Sequence, residues 1–441
     1  MKFSPINKLI SKLDHRYREI VRGASLAFVL KLLGAGMTFS FNVLLARLLG
    51  AEDTGIYTLA FTATTMATVF GRLGLEYSLV RFIAANVATG DWVQVKGVYQ
   101  KGMRLAIAAS AFSMVVMFVA APWLSETILG QPKLTEPLRW MSLAVIPMTV
   151  YLLQAQVLKG FKLILESSIV EMVCVSTLSV IGLYLLGQQG GVNGAVWIYT
   201  AATAVTALAG VWALRIRVPQ LRGVVGYFDT RELLRSSLPL FWFTVISQVV
   251  LWTPTFLLGI WGNAADVGIY NAAYKTSTVM IFASAATNSI VTPKFSAMFK
   301  QGDFDALGFL VRGCAKLTAL LAAPISLIFI LAPRSVMGIF GEQFIIGAPI
   351  LTILAIGQFV EVATGAVGQL LIMTGHEKAI RNNIAITAVV NVLLCSVLIP
   401  AFGLIGAAIA TTTSLTIMNC ISVYLVWSNL KIWPLPFLAR S

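Results

Sequence analysis

Charged residues are scarce in this chain, since only 11% of its 441 residues are Asp, Glu, Lys or Arg. A soluble domain carries roughly 25% charged residues, so the composition excludes a soluble globular protein and indicates an integral membrane protein. Acidic residues are fewer than basic residues, which leaves a net charge of +14. Basic residues gather in the cytoplasmic loops of membrane proteins for topological reasons, so this excess does not indicate nucleic-acid binding.

Cysteine and histidine are also rare. The four cysteines are far apart and lie in or beside apolar segments, so neither a metal-binding spacing nor a disulfide framework is visible. The two histidines, His15 and His376, fall on the predicted cytoplasmic side. No Gly-x-x-x-x-Gly-Lys-Ser/Thr nucleotide-binding motif occurs. The sequence therefore predicts no metal, no cofactor and no ATP hydrolysis by this chain.

Long apolar runs are abundant, and 58% of the residues are hydrophobic. A bilayer core needs about 20 apolar residues per helix, and the runs predict twelve membrane spans. The predicted spans are 23–46, 55–83, 103–124, 135–158, 164–187, 192–214, 237–261, 267–292, 309–332, 345–373, 380–400 and 403–428. The two longest, 55–83 and 345–373, must tilt or project beyond the bilayer.

The basic residues predict that both termini are cytoplasmic. Residues 6–21 carry apolar side chains at helical spacing with basic residues between them, which is typical of an amphipathic helix on an anionic leaflet. The apolar run that follows is too long for a cleavable signal peptide. The Lys and Arg residues on the opposite side are few: Arg47, Lys133, Arg139 and Arg334. This asymmetry fits an even number of spans in an inner, or plasma, membrane.

The chain repeats itself at an offset of 213 positions. Arg18–Arg22 matches Arg231–Arg235, and the Asp-x-Gly-Ile-Tyr segment Asp53–Tyr57 returns as Asp266–Tyr270. An offset of about half the chain predicts two homologous halves.

One sizeable hydrophilic stretch, Arg215–Ser236, joins the sixth and seventh spans. Asp229 is a candidate helix cap at its end. Six spans precede this linker, so both halves would enter from the cytoplasm as parallel repeats. We therefore predict an all-α membrane protein with two six-helix lobes: an N-terminal lobe of residues 1–220, which includes the amphipathic helix, and a C-terminal lobe of residues 221–441.

Six ionisable side chains fall inside the predicted spans, where each costs at least about 2.5–3.5 kcal/mol unless it faces a partner or a wet cavity. They are Lys31, Arg72, Glu76, Glu171, Lys275 and Glu361. Lys31 either snorkels to the headgroups or faces a cavity. Lys275 has no acidic residue within one turn of its own helix, which favours a cavity position.

The other four allow different interpretations. Arg72 and Glu76 are four positions apart and could neutralise each other on one helical face. Glu361 would pair with a basic residue of another helix or bind a proton or sodium ion, whereas Glu171 lies nearer a membrane edge and favours an interfacial role. Three cations from both lobes, Lys31, Arg72 and Lys275, would make a central cavity electropositive and suited to an anionic headgroup.

The run Gly71–Phe82 and the repeated Gly-Ile-Tyr segments resemble the polysaccharide-transporter, or O-antigen flippase, family. This family belongs to the larger group that contains multidrug and toxin extrusion transporters and lipid II flippases. The resemblance covers the whole length, including the Arg231–Leu240 entry to the second half. It implies a V-shaped transporter that moves a polyprenyl-diphosphate-linked glycan to the periplasmic leaflet for surface polysaccharide biosynthesis. Members carry cations in spans one, two, seven and eight; here span seven offers only Gln248 and Trp252.

Other functions remain open at this stage. A cation-coupled multidrug antiporter of the same fold would need acidic side chains in the cavity, for which only Glu361 and Glu76 qualify. A membrane enzyme such as a glycan polymerase or ligase would need a large external loop or a catalytic constellation, and the sequence shows neither. The resemblance leaves room for coupling to H⁺ or Na⁺ and for glycan-assembly membrane proteins as partners.

Overall fold

The structure, a computed structural model, describes residues 15–186 and 190–435, and the regular secondary structure of these residues is helical. In chain order the α-helices are α1 His15–Arg72, α2 Leu75–Thr89, α3 Trp92–Pro122, α4 Thr135–Ser142, α5 Val145–Gly160, α6 Ile164–Ser168, α7 Cys174–Leu186, α8 Gly191–Arg217, α9 Thr230–Trp261, α10 Ala264–Ser277, α11 Ile281–Gln301, α12 Phe304–Leu331, α13 Pro333–Gly338, α14 Ala348–Ala363, α15 Val367–Met373 and α16 Glu377–Leu430. The predicted all-α class is confirmed. Residues 6–14 of the predicted amphipathic helix lie outside the described residues.

Within the described ranges, eight helices are long and apolar enough to cross a membrane, or nine if the bent pair Pro132–Ser142 and Val145–Gly160 forms one span. The two longest, α1 with 58 residues and α16 with 54, exceed the roughly 20 residues that a bilayer core needs. Each contains one residue with non-helical backbone, Gly50 at φ 78° and Gly403 at φ 55°. Each is therefore two helices joined at a kink. The number of twelve spans stays a prediction.

Several predicted spans are interrupted. The span 55–83 breaks at Leu73 and Gly74, whose φ angles are 51° and 71°, and 345–373 breaks between α14 and α15, where Gly365 has φ 71°. The span 135–158 bends by 46° between α4 and α5. Tilting of one continuous helix therefore does not describe the two longest predicted spans.

Aspartate caps start three of the long helices. The Asp91 carboxylate accepts from the Gln94 backbone N–H at 3.0 Å, and 212 positions later Asp303 accepts from Ala306 at 3.0 Å. At the end of the linker, Asp229 accepts from the Arg231 N–H at 2.9 Å, which confirms the predicted cap. Such bonds satisfy donors that the first helical turn leaves free. The shared geometry at Asp91 and Asp303 fits a duplicated fold, although the lobe boundary itself stays a prediction.

The two halves of the chain meet most closely where α10 crosses α1, at the two copies of the Gly-Ile-Tyr segment. A Cβ on Gly55 would lie 1.6 Å from the Ala264 carbonyl oxygen, and a Cβ on Gly268 would lie 2.3 Å from the Ala51 oxygen. Only glycine permits this approach at either position. Each half therefore presents the same pair of positions to the other, since 51 and 55 lie 213 before 264 and 268. We call this contact the glycine crossing.

Polar contacts reinforce the glycine crossing on the predicted outer side. The Ala51 N–H, next to the Gly50 kink, donates to Gln343 Oε1 at 2.8 Å, and Arg47 Nε donates to the Ile339 carbonyl at 2.8 Å. Both acceptors belong to the second half. The kink that ends the first half of α1 is therefore held by the opposite half, and the bundle is closed at this end.

Candidate functional site

A cavity of about 360 Å³ lies between the two halves of the chain. The first half contributes most of its wall, from α1, from the π-helical segment Ile169–Val173 and from α8, while α10 and α11 of the second half contribute Lys275 and Phe282. The residues of the wall that bear on its chemistry are Lys31, Thr38, Asn42, Tyr57, Phe61, Glu171, Ser176, Tyr199 and Lys275. A site built from both halves is positioned to respond when the halves move.

One face of α1 supplies the polar side chains that line the cavity. Lys31, Thr38 and Asn42 follow one another at intervals of seven and four residues, which places them on the same face of a helix. Eleven residues separate Lys31 from Asn42, or roughly 16 Å along the axis. Thr38 Oγ1 lies 2.7 Å from Ser176 Oγ on α7. Lys31 is exposed nearer the predicted cytoplasmic mouth, whereas Asn42 lies deeper.

Lys275 joins the two halves inside the cavity. Its ammonium donates to Asn42 Oδ1 at 2.7 Å and lies 5.6 Å from the centroid of the Phe61 ring. The first contact is a charge-assisted hydrogen bond and the second a cation–π interaction. Neither contact supplies a negative charge, so neither neutralises the positive charge of the ammonium.

Glu171 lies in the cavity wall; its place in the sequence had indicated only a position nearer a membrane edge. Its side chain projects from the π-helical segment, a widened turn that is frequent at functional sites. One carboxylate oxygen lies 2.6 Å from Lys159 Nζ, and the other accepts from Gln156 Nε2 at 3.3 Å. Lys31 and Lys275 form no ion pair within residues 15–186 and 190–435. Because Lys159 offsets Glu171, the cavity carries an excess of positive charge.

An aromatic wall stands beside Lys275. The rings of Tyr57 and Phe61 are nearly parallel with centroids 6.3 Å apart, and Tyr199 meets both rings edge-on at 6.5 and 5.4 Å. Tyr57 and Tyr199 are buried, whereas Phe61 is partly exposed. The cavity therefore combines cations with aromatic faces.

Arg72 lies apart from the two cavity lysines. Its Nη1 is 3.6 Å from Glu76 Oε1, and the side chains are only 18% and 11% exposed. The same Glu76 oxygen accepts from Thr244 Oγ1 of α9 at 3.5 Å. The structure thus shows the mutual neutralisation that the spacing of four allowed, and Arg72 does not line the cavity.

The remaining predicted site residues also lie outside the cavity wall. Trp252 is buried against Val69 and Phe241, in an apolar contact between the halves. Gln248 is half-buried on the same helix, α9. Glu361 on α14 forms no ion pair with any described residue. Among the described residues, no cluster of three His, Cys, Asp or Glu side chains could hold a metal ion.

Removal of Arg72 alone should destabilise the protein. Arg72→Leu leaves the Glu76 carboxylate buried without its counter-charge, which costs about 3 kcal/mol. The Arg72→Leu/Glu76→Leu double variant removes both charges and should recover most of that loss. Thermal unfolding of the purified protein in detergent measures both effects. A double variant as unstable as Arg72→Leu would contradict the ion-pair role.

Several cavity residues escaped the sequence interpretation, namely Thr38, Asn42, Tyr57, Phe61, Ser176 and Tyr199. Asn42 was detectable, because it shares a helical face with Lys31 and is polar within an apolar span. Tyr57 was visible in the repeat, but its immediate sequence, Gly-Ile-Tyr, is the same as that of Tyr270 at the equivalent position.

Comparisons with known proteins agree on a single group. The model of a family described as polysaccharide biosynthesis protein matches residues 20–299. A probable low-salt glycan biosynthesis flippase of Haloferax volcanii is 22% identical over 420 residues, which span 94% of this chain and 85% of that protein.

Solved structures of other proteins share this fold. An inward-facing multidrug resistance transporter of the MATE family, in the MOP superfamily, superposes with a TM-score of 0.75 at 14% identity, over 92% of this chain and 98% of that one. The lipid II flippase MurJ in an inward closed conformation gives 0.73 at 13% identity, over 91% and 87%. At such identities the likeness shows a common fold.

Proposed function

Because the chain belongs to the polysaccharide biosynthesis protein family, as the Gly71–Phe82 run and the repeated Gly-Ile-Tyr segments predicted, we propose that it is a flippase. Its cargo is a polyprenyl-diphosphate-linked oligosaccharide, which it moves from the cytoplasmic to the outer leaflet of the plasma membrane for surface polysaccharide biosynthesis. The protein is a carrier and not an enzyme. The name of the Haloferax volcanii relative, a probable glycan biosynthesis flippase, supports this direction.

One observation carries the proposal: two lysines from opposite halves line one cavity, and neither pairs with a carboxylate of the described residues. Lys31 and Lys275 supply positive charge in a low-dielectric setting, where a diphosphate is attracted strongly. Since Glu171 is offset by Lys159, the cavity does not balance its own charge. An anionic headgroup would neutralise the excess positive charge of the cavity.

Transport follows from the way the halves are joined. The glycine crossing closes the predicted outer side, so the diphosphate enters from the cytoplasmic side, past Lys31 towards Lys275. The polyprenyl tail stays in the lipid. Separation of the halves at the glycine crossing then exposes the headgroup to the opposite side, as alternating access requires. Coupling to H⁺ or Na⁺ belongs to the proposal, with Glu361 as the candidate ion-binding carboxylate.

Depletion of the protein should cause its cargo to accumulate. We expect mass spectrometry of polyprenyl-linked lipids to show one completed diphosphate-linked oligosaccharide enriched in the depleted strain and restored to its normal level on complementation. An unchanged lipid profile with intact surface glycan would refute the flippase assignment.

A cation-coupled multidrug antiporter is the second candidate, because Glu171 places one carboxylate in the cavity. Two observations weigh against it: Lys159 offsets that carboxylate, and Lys275 would repel an organic cation. Raised drug tolerance on overexpression, together with an unchanged lipid profile, would favour the antiporter.

A further inference from the structure

The two equivalent tyrosines of the repeated segment have different surroundings. In the second half, Tyr270 is buried and its hydroxyl lies 2.7 Å from Thr411 Oγ1, a hydrogen bond inside the core. In the first half, Tyr57 is only 3% exposed, yet its hydroxyl has no hydrogen-bond partner among the described residues. A buried polar group without a partner is costly and therefore rare. Tyr57 lines the cavity, where a ligand can supply that partner.

The sequence explains the difference. Gly191–Ala195 echoes Gly403–Ala407 at an offset of 212, and the same offset pairs Thr411 with Tyr199. Where the second half has a hydroxyl partner, the first half has an aromatic ring, which meets the Tyr57 ring edge-on at 6.5 Å. This exchange removes the partner of Tyr57 and adds an aromatic surface to the cavity wall.

We propose that Tyr57, Phe61 and Tyr199 form a saccharide subsite that holds the first sugar of the cargo beside its diphosphate. Lys275 lies 5.6 Å from the centroid of the Phe61 ring, so a diphosphate held by Lys275 brings the attached sugar to this wall. Aromatic rings offer the apolar C–H face of a sugar ring a large rigid surface, and the Tyr57 hydroxyl bonds to a sugar hydroxyl or amide. This inference rests on the proposed function, because it takes the diphosphate site for granted.

The test separates the sugar from the phosphate. The probes are farnesyl diphosphate and the same lipid carrying one hexose, one N-acetylhexosamine or one deoxyhexose, titrated into the full-length protein in nanodiscs. We expect at least one glycosylated probe to bind the unaltered protein about tenfold more tightly than farnesyl diphosphate. Tyr57→Phe should reduce that preference by about fivefold, the effect of one neutral hydrogen bond, and should leave the affinity for farnesyl diphosphate unchanged.

Tyr270→Phe is the matched control. It removes the same atom from the equivalent position, where the hydroxyl has a partner, so it should lower the unfolding temperature and preserve the sugar preference. Tyr57→Phe should not lower that temperature, since the Tyr57 hydroxyl bonds to no residue in the described part of the chain.

The other possible outcomes each contradict one part of the proposal. If no sugar improves binding, or if Tyr57→Phe keeps the full preference, the saccharide subsite is wrong while the diphosphate site stands. If farnesyl diphosphate itself does not bind, the proposed function fails and the subsite fails with it.

Discussion

Gly55→Leu should slow flipping by roughly tenfold or more and leave the protein open on the predicted outer side. A Cβ at this position would already lie 1.6 Å from the Ala264 carbonyl oxygen, so the leucine side chain cannot fit while the glycine crossing is closed. Overpacking typically costs about 1–3 kcal/mol, and here the cost falls on the closed state alone. The flipping rate should therefore fall by roughly tenfold or more.

Spin labels can report the predicted opening directly. Lys133 and Ile346 are exposed on the predicted outer side of opposite halves, and labels at Lys133→Cys and Ile346→Cys in a cysteine-free background should move apart when Gly55→Leu is added. Gly36→Leu is the matched control, because a Cβ at Gly36 meets nothing within 4 Å. An unchanged label separation with normal flipping would show that the glycine crossing does not gate transport.

Lys275→Met should lower the flipping rate roughly tenfold to a hundredfold, the effect of one charge-assisted hydrogen bond to a phosphate. Folding should not suffer, because the substitution removes a charge from within the membrane. The expected phenotype is accumulation of the diphosphate-linked oligosaccharide at normal protein abundance, measured by lipid mass spectrometry and quantitative immunoblotting.

Lys133→Met provides the comparison for Lys275→Met. Lys133 lies on the predicted outer side, 2.9 Å from Glu52 Oε1, and this hydrogen bond raises the pKa of its ammonium. Its removal deletes the same charge away from the cavity and should leave flipping unchanged. Equal losses in the two variants would mean that net charge, and not the position of Lys275, governs transport.

The fold class and the family were predictable, because both rest on long-range averages. Long apolar runs, a low content of charged residues and a repeat at a fixed offset remain visible in the sequence even where a helix is locally broken or bent. The breaks at Leu73–Gly74 and Gly365 were not predictable from hydropathy, because each lies inside a run that is apolar on average and only the backbone angles change.

A charge that stands alone on its helix was only a partial guide to the cavity, since Glu361 also stands alone and does not line it. Lys31 and Lys275 have no partner on their own helices, and both line the cavity. Arg72 has Glu76 one turn away, and the two pair with each other. For Gln248 and Trp252 the outcome depended on which face of α9 turns towards the cavity, and a helix that is apolar all round gives no sign of that orientation.

The glycine crossing also bears on the origin of the chain. Each half contributes a glycine and the carbonyl four residues before it, so the contact is self-complementary in the way that a two-fold symmetric dimer interface is. Two separate copies of one half, inserted in the same orientation, would make this contact with each other. Fusion of two such genes would have kept this contact. The remaining positions of the two halves would then have been free to diverge in sequence. At Tyr199 and Thr411 the two halves differ, and the surroundings of Tyr57 and Tyr270 differ with them.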